Sequence, residues 1–146
     1  ISDLGSGAWL GLRAIQQSLL CHDGILPPSL LAVRLLDHFK RDQAEVVRWA
    51  ARAIPADYGR FAPWVFDAAS DGDELANQLL DETCAQLQTL LEGMGLLGAD
   101  RIALLGGVGM RLAPRLGHLN LVPPQADALE GAILFAQSEA YPCLHP

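Results

Sequence analysis

Basic residues are scarce in this chain. Its 146 residues hold one lysine, Lys40, and nine arginines against 17 aspartates and glutamates, for a net charge of −7. The arginines are scattered, so the clustered positive surface that binds nucleic acid is excluded. No apolar run approaches the roughly 20 residues of a membrane span, and no signal peptide is visible. Cysteines number three, Cys21, Cys84 and Cys143. Far apart and odd in number, they form neither a C-x-x-C pair nor a disulfide framework, and suit reduced thiols of a cytoplasmic protein. The four histidines are isolated from one another and from the cysteines at ligand spacing, and only Asp42 stands four positions from a histidine, His38, so no zinc site is expected.

What the chain does have is apolar residues, 51% of the total. That is enough for one domain, residues 1–146, with a sizeable core. Residues 1–7 are polar and glycine-rich, and a helical pattern follows from about Gly7 to His22. Trp9, Leu12, Ile15 and Leu19 make an apolar stripe along it, and Gly24 stands where a helix stop is expected. "SLLAVRLLDHF" reads as a second helix. "DQAEVVRWAARAI" reads as a third, with Asp42 and Glu45 at capping-box spacing and Val46, Trp49, Ala50 and Ala53 on its buried face. Pro55 ends it, and "PADYGR" reads as a loop before the helix "FAPWVFDAAS". Asp71-Gly72-Asp73 breaks that helix. The longest helix, about residues 74–94, carries Ala76, Leu80, Thr83, Leu87, Leu90 and Met94 at spacings of three and four.

The last third changes character. "RIALLGG" is a short apolar run ended by two glycines and predicts a buried strand. A short helix, "GMRLAPRL", precedes a second short strand, "LNLVPP", and a final helix runs from about Ala126 to Ser138. The order implies a parallel strand pair with a right-handed crossover, in an α/β architecture that is mostly helix. Two short strands make a poor sheet, and further strands would have to come from elsewhere.

Two stretches invite chemistry. Gly106-Gly107-Val108 follows the first predicted strand, where glycines let a ligand approach the backbone and a helix start offers free N–H groups. A tight turn with no ligand satisfies the same residues. Asp3 reads equally as a loop residue bonding nearby N–H groups or as a carboxylate that accepts two hydroxyl hydrogen bonds from a sugar. Ser6 reads as the cap of the first helix.

Taken in order, "SDLGSGAWLG", "FAPWVFDAASDGDELA", "IALLGGV" and "LVPPQADALEGAILFA" resemble the N-acetylglucosamine kinase and BadF/BadG/BcrA/BcrD ATPase family. The likeness covers nearly the whole chain and corresponds to the C-terminal half of such a kinase. It implies half of an actin-like (ribonuclease H-like) ATPase domain, with the N-terminal phosphate-binding domain absent. It also implies ATP and Mg2+ as cofactors and an amino sugar, N-acetylglucosamine or glucosamine, as substrate. The missing half of the kinase would be a partner, as would a second copy, since family members are often dimers. Asp3 stands where the family has an acidic residue that contacts sugar hydroxyls, while Leu4 departs from the acidic or amide residue expected beside it. Gly106 and Gly107 match the adenosine motif. Tyr58 to Ala62 matches the segment on the other side of the adenine, with Gly59 and Ala62 as its two candidates. Asp127 and Gly131 match a signature read as helix capping and close packing. The phosphate loop and the general base belong to the family's other half, so no catalytic residue is assigned and the chain alone should be inactive. Two alternatives remain: an ATPase activator of a CoA reductase or dehydratase, and a non-enzymatic helical interaction domain.

Overall fold

The computed structural model describes residues 3–96, 98, 101–117 and 119–137. Cys143, His118 and His145 lie outside these. The chain forms two compact units, Ile1–Gly98 and Ala99–Pro146.

The first unit is helical. It contains α1 (Gly7–His22), α2 (Leu30–His38), α3 (Gln43–Ala50), α4 (Pro55–Gly59), α5 (Ala62–Ser70) and α6 (Glu74–Leu96). Helix α1 is central, with α2, α4, α5 and α6 all packed on it. Its start is set by Ser6, whose Oγ accepts the Trp9 N–H at 3.0 Å; without that acceptor a first-turn donor would lack a partner. Its buried stripe is Leu10, Gly11, Ala14, Ile15 and Ser18. Of the predicted stripe Ile15 is buried, while Trp9 and Leu19 are half-buried and Leu12 is exposed.

Asp73 organises two helix starts at once. Its side chain is buried and accepts from the Leu30 N–H at 2.7 Å, the Ala76 N–H at 2.8 Å and the Ser29 hydroxyl at 3.1 Å. The serine in turn accepts the Ala32 N–H at 3.2 Å. One carboxylate thus caps both α2 and α6, and its negative charge sits at the favourable end of both helix dipoles. The sequence reading saw Asp73 only as part of a helix break.

Other expectations need correction. "PADYGR" is not wholly a loop: Pro55 is the first residue of α4, where its missing N–H costs nothing, and Asp57 reaches back to the Ile54 N–H at 3.0 Å. On α3 only Val46 is buried, while Trp49 and Ala53 are half-buried and Ala50 is exposed. Asp42 caps α3 through the Ala44 N–H at 2.9 Å, but the Glu45 carboxylate turns to Arg48 at 2.7 Å instead of closing a capping box. On α6 the buried residues are Ala76, Leu79, Leu80, Thr83 and Leu91, while Leu90 and Met94 are exposed.

An aromatic cluster joins the ends of α2, α3, α4 and α5. Phe39, Trp49, Phe61 and Tyr58 meet edge to face or tilted, with Trp49 to Tyr58 at 4.9 Å and Trp49 to Phe61 at 5.6 Å between ring centres. His38 and Trp64 extend it, and the Arg34 guanidinium lies 4.5 Å over the Trp64 ring. Such contacts favour one ring arrangement over others. They hold the short helix α4 in place, since five residues could not form a stable helix unaided.

The second unit contains α7 (Gly106–Leu112), a 3₁₀ turn (Ala113–Leu116) and α8 (Ala128–Gln137). The α/β expectation is corrected here. Among the described residues there is no extended strand, only one parallel bridge between Ile102 and Leu121, with the Val122 N–H donating to the Ile102 carbonyl at 2.8 Å. The two predicted segments do meet, in the predicted parallel sense. They stop at one bridge because a lone strand pair lacks neighbours to complete its ladders.

Candidate functional site

A cleft of about 740 Å³ opens on the first unit where the leading loop, α1 and α4 converge. That is within the range of small-molecule sites. Asp3 and Leu4 line it from the loop, Ala8, Trp9 and Leu12 from α1, and Ala53, Pro55 and Tyr58 from around α4. The lining is mainly apolar and aromatic, and Asp3 is the only acidic side chain among the described residues that form it.

Loop geometry carries Asp3 to this place. The Ser6 N–H donates to the Asp3 carbonyl at 3.2 Å, closing a turn. Gly5 has φ of +76°, a left-handed conformation that favours glycine, and a Cβ on it would lie 2.9 Å from the Leu87 side chain. The turn residues are therefore occupied in holding the loop against α6. Asp3 itself is exposed, and among the described residues no donor bonds its carboxylate. It is not serving its neighbours' N–H groups, as the loop reading of an aspartate would require.

The α4 wall is fixed by an unusually close backbone approach, Gly11 of α1 against the Tyr58 carbonyl. Gly59 follows directly. It is half-buried, and a Cβ there would find only ordinary contact, 3.8 Å from the Ala8 nitrogen. Ala62 begins α5 and is buried at 2% exposure. Asp3 and Tyr58 thus share one cleft, and Gly59 adjoins it.

Gly106 and Gly107 belong to the second unit. Gly106 has φ of +81°, so glycine is favoured for the backbone alone, whereas at Gly107 a Cβ would meet nothing within 4 Å. Both are exposed. The turn leaves an uncovered stretch of backbone at the start of α7. Among the described residues no three His, Cys, Asp or Glu side chains gather as metal ligands, and no helix is long and apolar enough to cross a membrane.

Trp9, Leu12, Pro55 and Tyr58 were missed as cleft residues. The signal was present on α1, whose apolar residues outnumber what one buried stripe can use. Trp9 and Leu12 form a second face beside the core stripe, and a second apolar face on a central helix marks either a partner or a pocket.

No protein-family model matches the sequence. A curated relative does. The chain is 44% identical over 139 residues to the glucosamine kinase GspK of Vibrio cholerae, covering 93% of this chain and 47% of the relative. A crystal structure of a candidate N-acetylglucosamine kinase from Chromobacterium violaceum superposes with a TM-score of 0.80 at 34% identity, covering 92% of this chain and 48% of that one. Fold and sequence together make this chain a homologue of these two proteins. More particularly, it spans about half the length of the relatives it matches and is the counterpart of a C-terminal half.

Proposed function

We propose that the chain supplies the C-terminal half of the site of an ATP-dependent amino-sugar kinase with an actin-like fold. The whole enzyme would move the γ-phosphoryl group of ATP to the 6-hydroxyl of glucosamine or N-acetylglucosamine. The observation that carries this reading is Asp3, a carboxylate that no described residue bonds, at the edge of an aromatic-lined cleft in a chain whose homologues are named as kinases of these sugars.

An ionised carboxylate accepts hydrogen bonds from two adjacent hydroxyls, each worth about 1.5–3 kcal/mol when the acceptor is charged. Asp3 would orient the sugar in this way. Trp9 and Tyr58 offer flat apolar surface for the carbon face of a ring. Gly59 would let adenosine approach closely over bare backbone. In the second unit Gly106 and Gly107 expose backbone that would serve nucleotide in the same way. Of the two candidates in the α4–α5 segment, burial of Ala62 favours Gly59. Mg2+ bound with ATP would offset phosphate charge, and no residue of this chain is assigned to hold it. Closure of two halves on the sugar would exclude water and limit wasteful ATP hydrolysis.

The test uses the full-length protein. ADP release should depend on added glucosamine or N-acetylglucosamine, and the product should match the corresponding 6-phosphate by chromatography and mass. Sugar-independent ADP release, or none, overturns the proposal.

A further inference from the structure

The Asp3 carboxylate reaches the cleft without a hydrogen bond from any described residue. Its place is therefore set by the main chain, and whatever fixes the turn from Asp3 to Ser6 fixes the carboxylate. Two bonds hold this turn to itself and to α1. The Ser6 N–H donates to the Asp3 carbonyl at 3.2 Å, and Ser6 Oγ accepts the Trp9 N–H at 3.0 Å. Neither bond sets how the turn lies against α6.

A third contact does. Gly5 is buried at φ +76°, and a Cβ on it would lie 2.9 Å from both Cγ and Cδ2 of Leu87 and 3.7 Å from the Thr83 carbonyl oxygen. Thr83 and Leu87 stand four apart on α6, so they lie one above the other on the same face. Gly5 faces the notch between them. One wall of the notch is main chain at Thr83, a fully buried residue whose hydroxyl donates to the Leu79 carbonyl at 2.6 Å. That wall is rigid. The other wall is one half-buried side chain, Leu87, which does not line the cleft.

We propose that Leu87 is a positioning residue for the sugar: it seats Gly5 in the notch and so aims the Asp3 carboxylate into the cleft. The proposal rests on the reading of Asp3 as the acceptor of sugar hydroxyls. A carboxylate that accepts from two adjacent hydroxyls tolerates little displacement, because hydrogen bonds weaken steeply away from their preferred distance and angle. Only Leu4 stands between Gly5 and Asp3, so a shift of the turn carries directly to the carboxylate. Truncating Leu87 opens space beside Gly5 into which the turn relaxes. The nucleotide positions do not lean on this contact. A Cβ on Gly59 would meet Ala8 and Gly7, and one on Gly107 would meet nothing within 4 Å.

Kinetics and amide exchange test this in the full-length protein. Leu87→Ala should lower kcat/KM for the amino sugar by about 10- to 100-fold, the scale set by a ~1 Å misplacement. The KM for ATP should stay within about 2-fold of the parent's. Leu87→Met nearly conserves volume and should keep sugar kcat/KM within about 3-fold of the parent's. Without sugar, the Ser6 amide should exchange at least about 10-fold faster in Leu87→Ala than in the parent, with the Ala14 amide inside α1 unchanged. Leu87→Val is read in the same way if the alanine variant does not fold. Parental sugar kcat/KM in the truncated variant overturns the proposal, as do equal losses for sugar and ATP, or equal losses in Leu87→Ala and Leu87→Met. A Ser6 amide that keeps the parental exchange rate overturns it too. The exchange reading does not depend on phosphoryl transfer. A parent that uses neither sugar ends the kinase reading, while Ser6 still reports whether Leu87 holds the turn.

Discussion

A Cβ built on Gly11 would run into the carbonyl oxygen of Tyr58 and lie 2.7 Å from its carbonyl carbon. Helices α1 and α4 touch there backbone to backbone, with no room for a methyl group. Both obstructing atoms are main chain, so no rotamer change relieves the clash. Gly11→Ala must separate the helices, and overpacking of this kind costs about 1–3 kcal/mol, toward the upper end where backbone has to move. Chemical denaturation should show the loss. The same variant should disturb the cleft, because Tyr58 forms its wall.

Asp73 makes a second prediction. Removing its carboxylate strips the start of α2 and of α6 together, and each cap is worth about 1 kcal/mol, with more from the charged, buried bonds. Asp73→Ala should cost about 3 kcal/mol by urea unfolding. Asp73→Asn keeps one acceptor oxygen and should lose less. Equal losses in the two variants would mean that the charge and the second oxygen contribute nothing.

These two contacts mark how far the sequence could be read. Helix α1 begins and ends where Ser6 and the following glycine turn indicate, because capping is local chemistry. The double role of Asp73 was hidden, because Ser29 stands 44 residues away from it and only the fold brings them together. Helix α4 was hidden because "PADYG" has turn composition and owes its helicity to the aromatic cluster packed on Tyr58. The candidate cleft was half legible. Asp3 stood out by residue type, whereas Trp9 and Leu12 resemble core residues and are set apart only by the core stripe of Leu10 and Ala14 beside them.

The glycines separate structural from ligand roles. Gly59→Ala meets only ordinary contact and Gly107→Val meets nothing within 4 Å. Both should leave stability within about 0.5–1 kcal/mol of the parent, because alanine and valine both have a higher helix propensity than the glycine they replace. In the full-length protein both should raise the KM for ATP, Gly107→Val more strongly because of its branched side chain. Unchanged ATP kinetics in both would remove these positions from the nucleotide site.

Cys21 offers a pH test. Burial, and then the nearby negative charge of Asp73, raise its thiol pKa above the ordinary value. Both disfavour the thiolate, which is the reactive form. Alkylation of Cys21 by iodoacetamide should therefore lag behind that of a cysteine peptide at mildly alkaline pH, and its rate should climb at a higher pH than the peptide's. Mass spectrometry of the Cys21 peptide gives the rates. A rate equal to that of the peptide across the range would contradict the effect.

The most direct measurement is steady-state kinetics of Asp3→Ala in the full-length protein. Asp3 is exposed and bonds to nothing among the described residues through its carboxylate, so the variant should unfold at the same temperature as the parent. Loss of two charged hydrogen bonds to sugar should lower kcat/KM for the amino sugar by about 100-fold or more, with the KM for ATP nearly unchanged. Parental kcat/KM for the sugar, in a variant of unaltered stability, would contradict the account.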